Sequence, residues 1–176
     1  MSRQRDPELR HIVVIRHAKS SWDDPSVEDH DRPLSKRGRD SLPRLCDHIE
    51  DLELRPDLVM CSSSRRTRET LDGIRSALGR KVRVELDSAL YGASAEHLVT
   101  ELRRVDDHVA TVFLIGHNPG VVDLVDLLAA DGATGGAAIG AFPTAAVAVL
   151  SMVAPWSALQ PACASLESFW APRHPL

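Results

Sequence analysis

Five short, largely apolar runs, the first of them β-branched, alternate along this chain with segments whose apolar residues recur three and four positions apart. The runs are His11–Ile15, Asp57–Cys61, Val82–Leu86, Ala110–Ile115 and Ala145–Met152. β-Branching in HIVVI favours extended backbone, and runs of this length suit buried strands. Between them, Leu42, Leu45, Ile49 and Leu52 share one helical face, with Ser35 or Ser41 as the cap. Pro43 predicts a kink in that helix or a start near Ser41. Further helices are expected after the Ser62–Ser64 triplet (Leu71, Ile74, Leu78), over Ser94–Arg104 (Leu98, Leu102) and after Pro119 (Val121, Val122, Leu124, Val125, Leu128). Strands separated by helices need crossover connections, which make parallel neighbours and cover both faces of the sheet. The expected fold class is α/β, a three-layer α/β/α sandwich on a mostly parallel central sheet.

At 176 residues the chain fits one domain over 1–176, with a polar N-terminal extension at 1–10 and a tail at 155–176 expected to pack on it. Hydrophobic residues are 43% and charged ones 26%, which excludes a disordered, collagen-like or disulfide-dense chain. The net charge of −4 supplies no global field for nucleic acid or an anionic membrane, so any phosphate recognition must be local. Cys46, Cys61 and Cys163 are odd in number and widely spaced, as reduced structural thiols are. The polar start reads as neither a signal nor a transit peptide. The apolar stretch Ala137–Val153 is Ala-dominated and broken by Gly140 and Pro143, a poor membrane span. A cytoplasmic protein, monomeric or weakly dimeric, is expected. Ala129–Ala141 is rich in Gly and Ala and expected to be loose.

Ligands of open α/β sheets bind beyond the carboxyl ends of the strands. Three such ends carry polar groups directly after a buried run: Arg16-His17-Ala18-Lys19-Ser20, Cys61 to Arg66, and Gly116-His117-Asn118. In a parallel sheet these ends converge, gathering two imidazoles and several guanidiniums inside an acidic protein. Such a pocket suits a dianion with tetrahedral oxygens, since arginine forks match phosphate in bidentate fashion. Helix N-termini after Ser64 and at Pro119 would add amides and favourable dipole ends. A neutral histidine can itself accept a phosphoryl group while its other ring nitrogen is held by a backbone acceptor. Neighbouring cations keep such an imidazole neutral and stabilise charge on the phosphoryl oxygens in flight, so no metal or cofactor is required.

At these residues the chain resembles the histidine phosphatase superfamily, which includes phosphoglycerate mutases and acid phosphatases, and most of all its small SixA-like phosphohistidine phosphatase branch. The resemblance rests on Arg16-His17-Ala18-Lys19-Ser20-Ser21-Trp22, Asp31-Arg32-Pro33-Leu34-Ser35-Lys36-Arg37-Gly38, Arg66-Thr67-Arg68-Glu69-Thr70, Gly116-His117-Asn118 and Phe142-Pro143-Thr144. It covers about residues 11–153 and implies a phosphoglycerate mutase-like fold. It further implies His17 as the phosphorylated nucleophile, Arg16 and Arg66 as grips on the phosphoryl oxygens, and His117 as the second histidine. Ser20 is the further substrate-binding candidate. The distance to Thr70 favours Arg66 over Arg65 for the second grip.

The chain departs from the family where a glutamate commonly serves as proton donor. Here the loop reads Asp87-Ser88-Ala89-Leu90-Tyr91, leaving Asp87 or no acid at all. That favours imidazole or aryl leaving groups, because an alkoxide would forgo a general-acid benefit of ~10²–10⁴-fold. The expected activity is therefore metal-independent hydrolysis of phosphohistidine on a protein. A broad phosphomonoesterase or a mutase-like enzyme is the alternative, and a non-catalytic phosphate-binding module the alternative from another class. A metal site from His17, His117 and Cys61 lacks any recognised ligand spacing. The acid-rich loop Asp23–Asp31 reads as a solvent-exposed flap, with Asp23 the residue that could touch the site; Tyr91 lines the pocket or packs beneath it. His11, His30, His48, His97, His108 and His174 read as structural or surface groups, and Gly116 and Gly120 as turn and close-packing residues.

Overall fold

A computed structural model describes residues 9–130 and 141–172. Most of the Gly/Ala-rich segment and the first eight residues lie outside the described residues, as does His174. The chain forms strands β1 (Arg10–Arg16), β2 (Leu58–Ser62), β3 (Arg83–Asp87), β4 (Thr111–Gly116), β5 (Val147–Met152) and β6 (Ser165–Trp170). The helices are α1 (Lys36–Asp51), α2 (Arg65–Gly73), α3 (Arg75–Leu78), α4 (Ala95–Leu102) and α5 (Gly120–Leu128). One sheet holds all six strands in the order β3-β2-β4-β1-β5-β6. β3, β2, β4 and β1 run parallel, while β5 is antiparallel to β1 and β6 antiparallel to β5. The sheet is thus mixed, with a parallel majority that matches the sequence expectation.

Alternate residues of the central strands feed two cores. Ile12, Val14, Leu58, Met60 and Leu114 face α4 and α5, where Leu98, Leu102, Leu124 and Val125 close the layer. Val13, Ile15, Val59, Phe113 and Ile115 face α1, α2 and α3 through Leu45, Ile49, Leu71 and Leu78. Because both faces are covered, β2 and β4 are buried along their whole length.

The chain differs from its sequence reading at three elements. α1 starts at Ser35, whose hydroxyl accepts from Gly38 N at 3.1 Å, and it runs on through Pro43. Pro43 and Arg39 lie on the exposed face, so the Arg39 carbonyl that proline leaves unbonded is open to water. The segment after Ser64 is two helices, broken at Ile74, with Gly73 packed so tightly that a Cβ there would lie 2.6 Å from Leu42. The tail contains β6, an edge strand whose residues alternate between exposed and half-buried. Its three polar residues, Ser165, Glu167 and Ser168, break up the apolar ones and hid it from a search for apolar runs. Arg10, counted with the N-terminal extension, is the first residue of β1.

Two glycines bring backbone segments into contact near the strand ends. A Cβ on Gly38 would lie 2.1 Å from the Lys19 carbonyl oxygen, so α1 presses directly on the loop leaving β1. A Cβ on Gly120 would lie 2.0 Å from the Ala93 carbonyl oxygen, which fixes the start of α5. Only a residue without a side chain allows either approach.

Candidate active site

Sheet register creates the site. Arg16 pairs with Gly116 at the carboxyl ends of β1 and β4, and His17 N donates to Gly116 O at 3.1 Å. The next residues on the two strands, His17 and His117, therefore emerge side by side, with ring centroids 5.1 Å apart. Two parallel strands in register need no loop to place the pair. Both histidines are buried, at 7% and 8% exposure.

The hydrogen bonds of His17 define its chemistry. Nδ1 lies 2.7 Å from the Ala18 carbonyl oxygen, which can only accept, so Nδ1 carries the proton and Nε2 keeps its lone pair. Burial, reinforced by Arg66, Arg16 and Arg32, pulls its pKa down to about 4. His17 is thus a neutral imidazole at pH 7. His117 Nδ1 accepts from Arg66 Nη2 at 3.3 Å, which leaves Nε2–H to donate to Ser62 Oγ at 2.8 Å. Burial and the nearby His17 and Arg66 lower its pKa to about 3.

Arg66 enters from the first turn of α2 and is buried, whereas Arg65 points outward and pairs with Glu69 at 2.7 Å. Thr70 couples the helix to the nucleophile loop: its hydroxyl accepts from Ala18 N at 3.0 Å and donates to Arg66 O at 2.7 Å. Arg16 donates through Nη1 to Phe142 O at 2.8 Å, and Asn118 Nδ2 donates to the same carbonyl at 3.0 Å. The Phe142-Pro143-Thr144 stretch thereby anchors both strand ends. Nε of Arg16 and Nε of Arg66 are buried with no hydrogen-bond partner among the described residues. Buried donors of this kind call for acceptor oxygens that the described residues do not supply.

Ser20 is buried, and its hydroxyl accepts from Arg32 Nη1 at 3.0 Å, at the base of the loop where Ser20 pairs with Leu34. Asp87 accepts from Ala89 N at 2.8 Å and so caps its own turn. The acid-rich loop does reach the site, but through Asp29 and not Asp23. Asp29 binds Arg66 twice: Nη1 donates to its carbonyl oxygen at 2.5 Å and Nη2 to Oδ2 at 3.1 Å. Arg32 holds Oδ1 at 2.8 Å, and Tyr91 donates its hydroxyl to Oδ2. The Tyr91 hydroxyl, with Arg32 and Arg66, keeps the Asp29 pKa at about 2. His30, read from sequence as a surface group, packs edge-on against Tyr91 at 5.0 Å and meets Ser63 Oγ at 2.9 Å. Tyr91 in turn packs edge-on against His117 at 5.5 Å, so it lines the pocket. In the sequence Asp29 sits among other charges with no periodicity to single it out, whereas Arg32 lies in one of the stretches that carry the family resemblance.

The model of the histidine phosphatase superfamily (branch 1) matches residues 12–101, slightly more than half of the chain. The chain belongs to this superfamily. The uncharacterized protein Rv1276c of Mycobacterium tuberculosis is 33% identical over 174 residues, spanning 90% of this chain and all of the relative. Among solved structures, one from Nakamurella multipartitia, provisionally described as the phosphohistidine phosphatase SixA, superposes with a TM-score of 0.79 at 27% identity, over 93% of this chain and 96% of that one. A phosphoglycerate mutase from Bacillus anthracis shares the fold, with a TM-score of 0.67 at 14% identity over 93% and 95% of the two chains. The chain is a phosphatase of the SixA-like branch, on a phosphoglycerate mutase-like fold. The family match spans Arg16, His17, Ser20 and Arg66 but ends before His117, which the β1–β4 register places beside them.

Proposed function

We propose that this phosphatase works without a metal, through a phosphohistidine formed on His17, and that its preferred substrate is a phosphohistidine borne by a partner protein. The observation that carries the reading is the neutral His17 ring, fixed through Nδ1 to the Ala18 carbonyl at 2.7 Å, beside buried Arg66 and half-buried Arg16, whose buried Nε atoms have no partner among the described residues. The His17 Nε2 lone pair attacks phosphorus while the phosphorus–nitrogen bond of the substrate breaks, and the departing imidazole nitrogen takes up a proton. Water then attacks the phosphorus on His17, the phosphorus–Nε2 bond breaks, and phosphate leaves with the ring restored. Arg16, Arg66 and His117 face the charge that builds on the phosphoryl oxygens.

The leaving group follows from the acids at hand. Asp87 Oδ1 is engaged in its own turn by Ala89 N, and Asp29, with its pKa held at about 2, carries no proton to offer at pH 7. An imidazole or aryl leaving group needs that proton least. The test is a panel of phosphohistidine peptide, aryl phosphate and glycerate phosphate, each with excess chelator. The reading expects chelator-insensitive turnover, fastest on the phosphohistidine peptide. Chelator-sensitive turnover, or a preference for glycerate phosphate, would contradict it.

A further inference from the structure

The Arg66 fork, assigned above to the phosphoryl group, is already occupied. Both of its Nη atoms donate to Asp29, one to the backbone carbonyl oxygen and one to the carboxylate. Asp29 does not depend on Arg66 for a counter-charge. Its Oδ1 is bound by Arg32 through Nε at 3.0 Å and Nη2 at 2.8 Å, while Oδ2 faces Arg66 and Tyr91. Arg32 itself belongs to the base of the loop: it donates to Ser20 Oγ at 3.0 Å and Ser21 O at 3.1 Å and stacks on Trp22 at 3.5 Å. That base is closed by Ser21 N donating to Pro33 O at 2.8 Å and by the Ser20–Leu34 pairing. The carboxylate therefore stands between one arginine anchored in the loop and one arginine of the site, with its side chain 50% exposed. Release from Arg66 would leave the charge of Asp29 still paired.

We propose that Asp29 is an internal competitor of the phosphoryl group: it occupies Arg66 in the free enzyme, retreats onto Arg32 when an oxyanion enters, and so sets how tightly substrate and product phosphate bind. This rests on the reading of Arg66 as a phosphoryl grip. A carboxylate left beside a bound dianion repels it, and one bound to Arg66 must be displaced first; both weaken affinity. In a phosphatase the same competition speeds release of phosphate, which would otherwise saturate a pocket lined with arginines.

The experiment is titration calorimetry of inorganic phosphate into the wild-type protein, Asp29→Asn, Tyr91→Phe and Arg66→Ala at fixed pH and salt. Turnover of an aryl phosphate is measured alongside. Asp29→Asn is expected to tighten phosphate about tenfold and to lower KM by a similar factor. Tyr91→Phe, which removes one donor holding Oδ2, is expected to tighten phosphate about twofold to threefold. Unchanged or weaker phosphate binding in Asp29→Asn, with a fall in kcat at constant KM, would overturn the proposal and make Asp29 a support for Arg66. Should Asp29→Asn fail to fold, Tyr91→Phe decides: tighter phosphate supports the competitor, and unchanged or weaker phosphate overturns it. Phosphate affinity unaltered in Arg66→Ala would remove the grip, and the competitor with it. None of these readouts depends on which leaving group the enzyme prefers, so a failure of the phosphohistidine assignment is separately visible.

Discussion

The ends of β1 and β4 and the loop over residues 21–33 face the same pocket but are built on different principles. At the strand ends, a register shared from His11 and Thr111 to Arg16 and Gly116 delivers His17 and His117 side by side. Backbone hydrogen bonds fix their spacing, and buried Val13, Ile15, Phe113 and Ile115 hold the strands beneath them. The loop has no such ladder. Its reach into the site depends on side chains, above all Asp29 between Arg66 and Arg32, with His30 against Ser63. Groups that must not move are set by register, whereas groups that can exchange partners are set by charge.

The comparison breaks most readily at the nucleophile. His17→Ala is expected to reduce turnover by roughly 10⁴-fold or more while the far-ultraviolet spectrum and melting transition stay native-like. Turnover within tenfold of wild type would mean that the strand ends do not house the chemistry. Next, Arg66→Ala should reduce kcat/KM by about 10²–10³-fold. Arg65→Ala, which removes only an exposed pair with Glu69, should change it less than about twofold. Equal losses in the two variants would contradict the separate fates of these neighbours.

Acid sharpens the same contrast. His17 has its pKa lowered from 6.5 to about 4, so below pH 6.5 the unfolded chain takes up a proton that the folded chain refuses. Stability is therefore lost as pH falls from 6.5 toward 4, by on the order of 3 kcal/mol for this group. His117, with a pKa of about 3, extends the loss further into acid. Urea melts of wild type and His17→Asn between pH 7 and 4.5 should show a shallower acid slope in the variant. Parallel slopes would mean that the buried ring is not held neutral. A smaller effect is expected at Gly38, where a methyl group would strike the Lys19 carbonyl. Gly38→Ala should destabilise by about 1–3 kcal/mol, and a stability within about 0.5 kcal/mol of wild type would show that α1 does not brace the nucleophile loop.

The same division explains what could be read from the amino-acid order. β1, β2 and β4 were legible because apolar runs buried on both faces leave a continuous signal. The juxtaposition of residues 16, 17, 66 and 117 followed from parallel strands ending level with one another. β6 left only a half-buried alternation, which a polar, proline-flanked tail conceals. α1 overrode Pro43 because the cap at Ser35 and the burial of Leu45 and Ile49 outweigh one missing hydrogen bond on a wet face. Asp29 was not legible at all. Nothing local separates it from Asp23, Asp24 or Asp31, and only the folded path of the loop brings it, and not its neighbours, to Arg66.

The most direct test is to quench the enzyme during turnover of a labelled phosphohistidine peptide and locate the phosphoryl group on the protein. The account predicts an acid-labile, alkali-stable label on Nε2 of residue 17, approaching one per chain and absent from His17→Ala. Steady turnover with no label on residue 17, or with the label on another side chain, would contradict it.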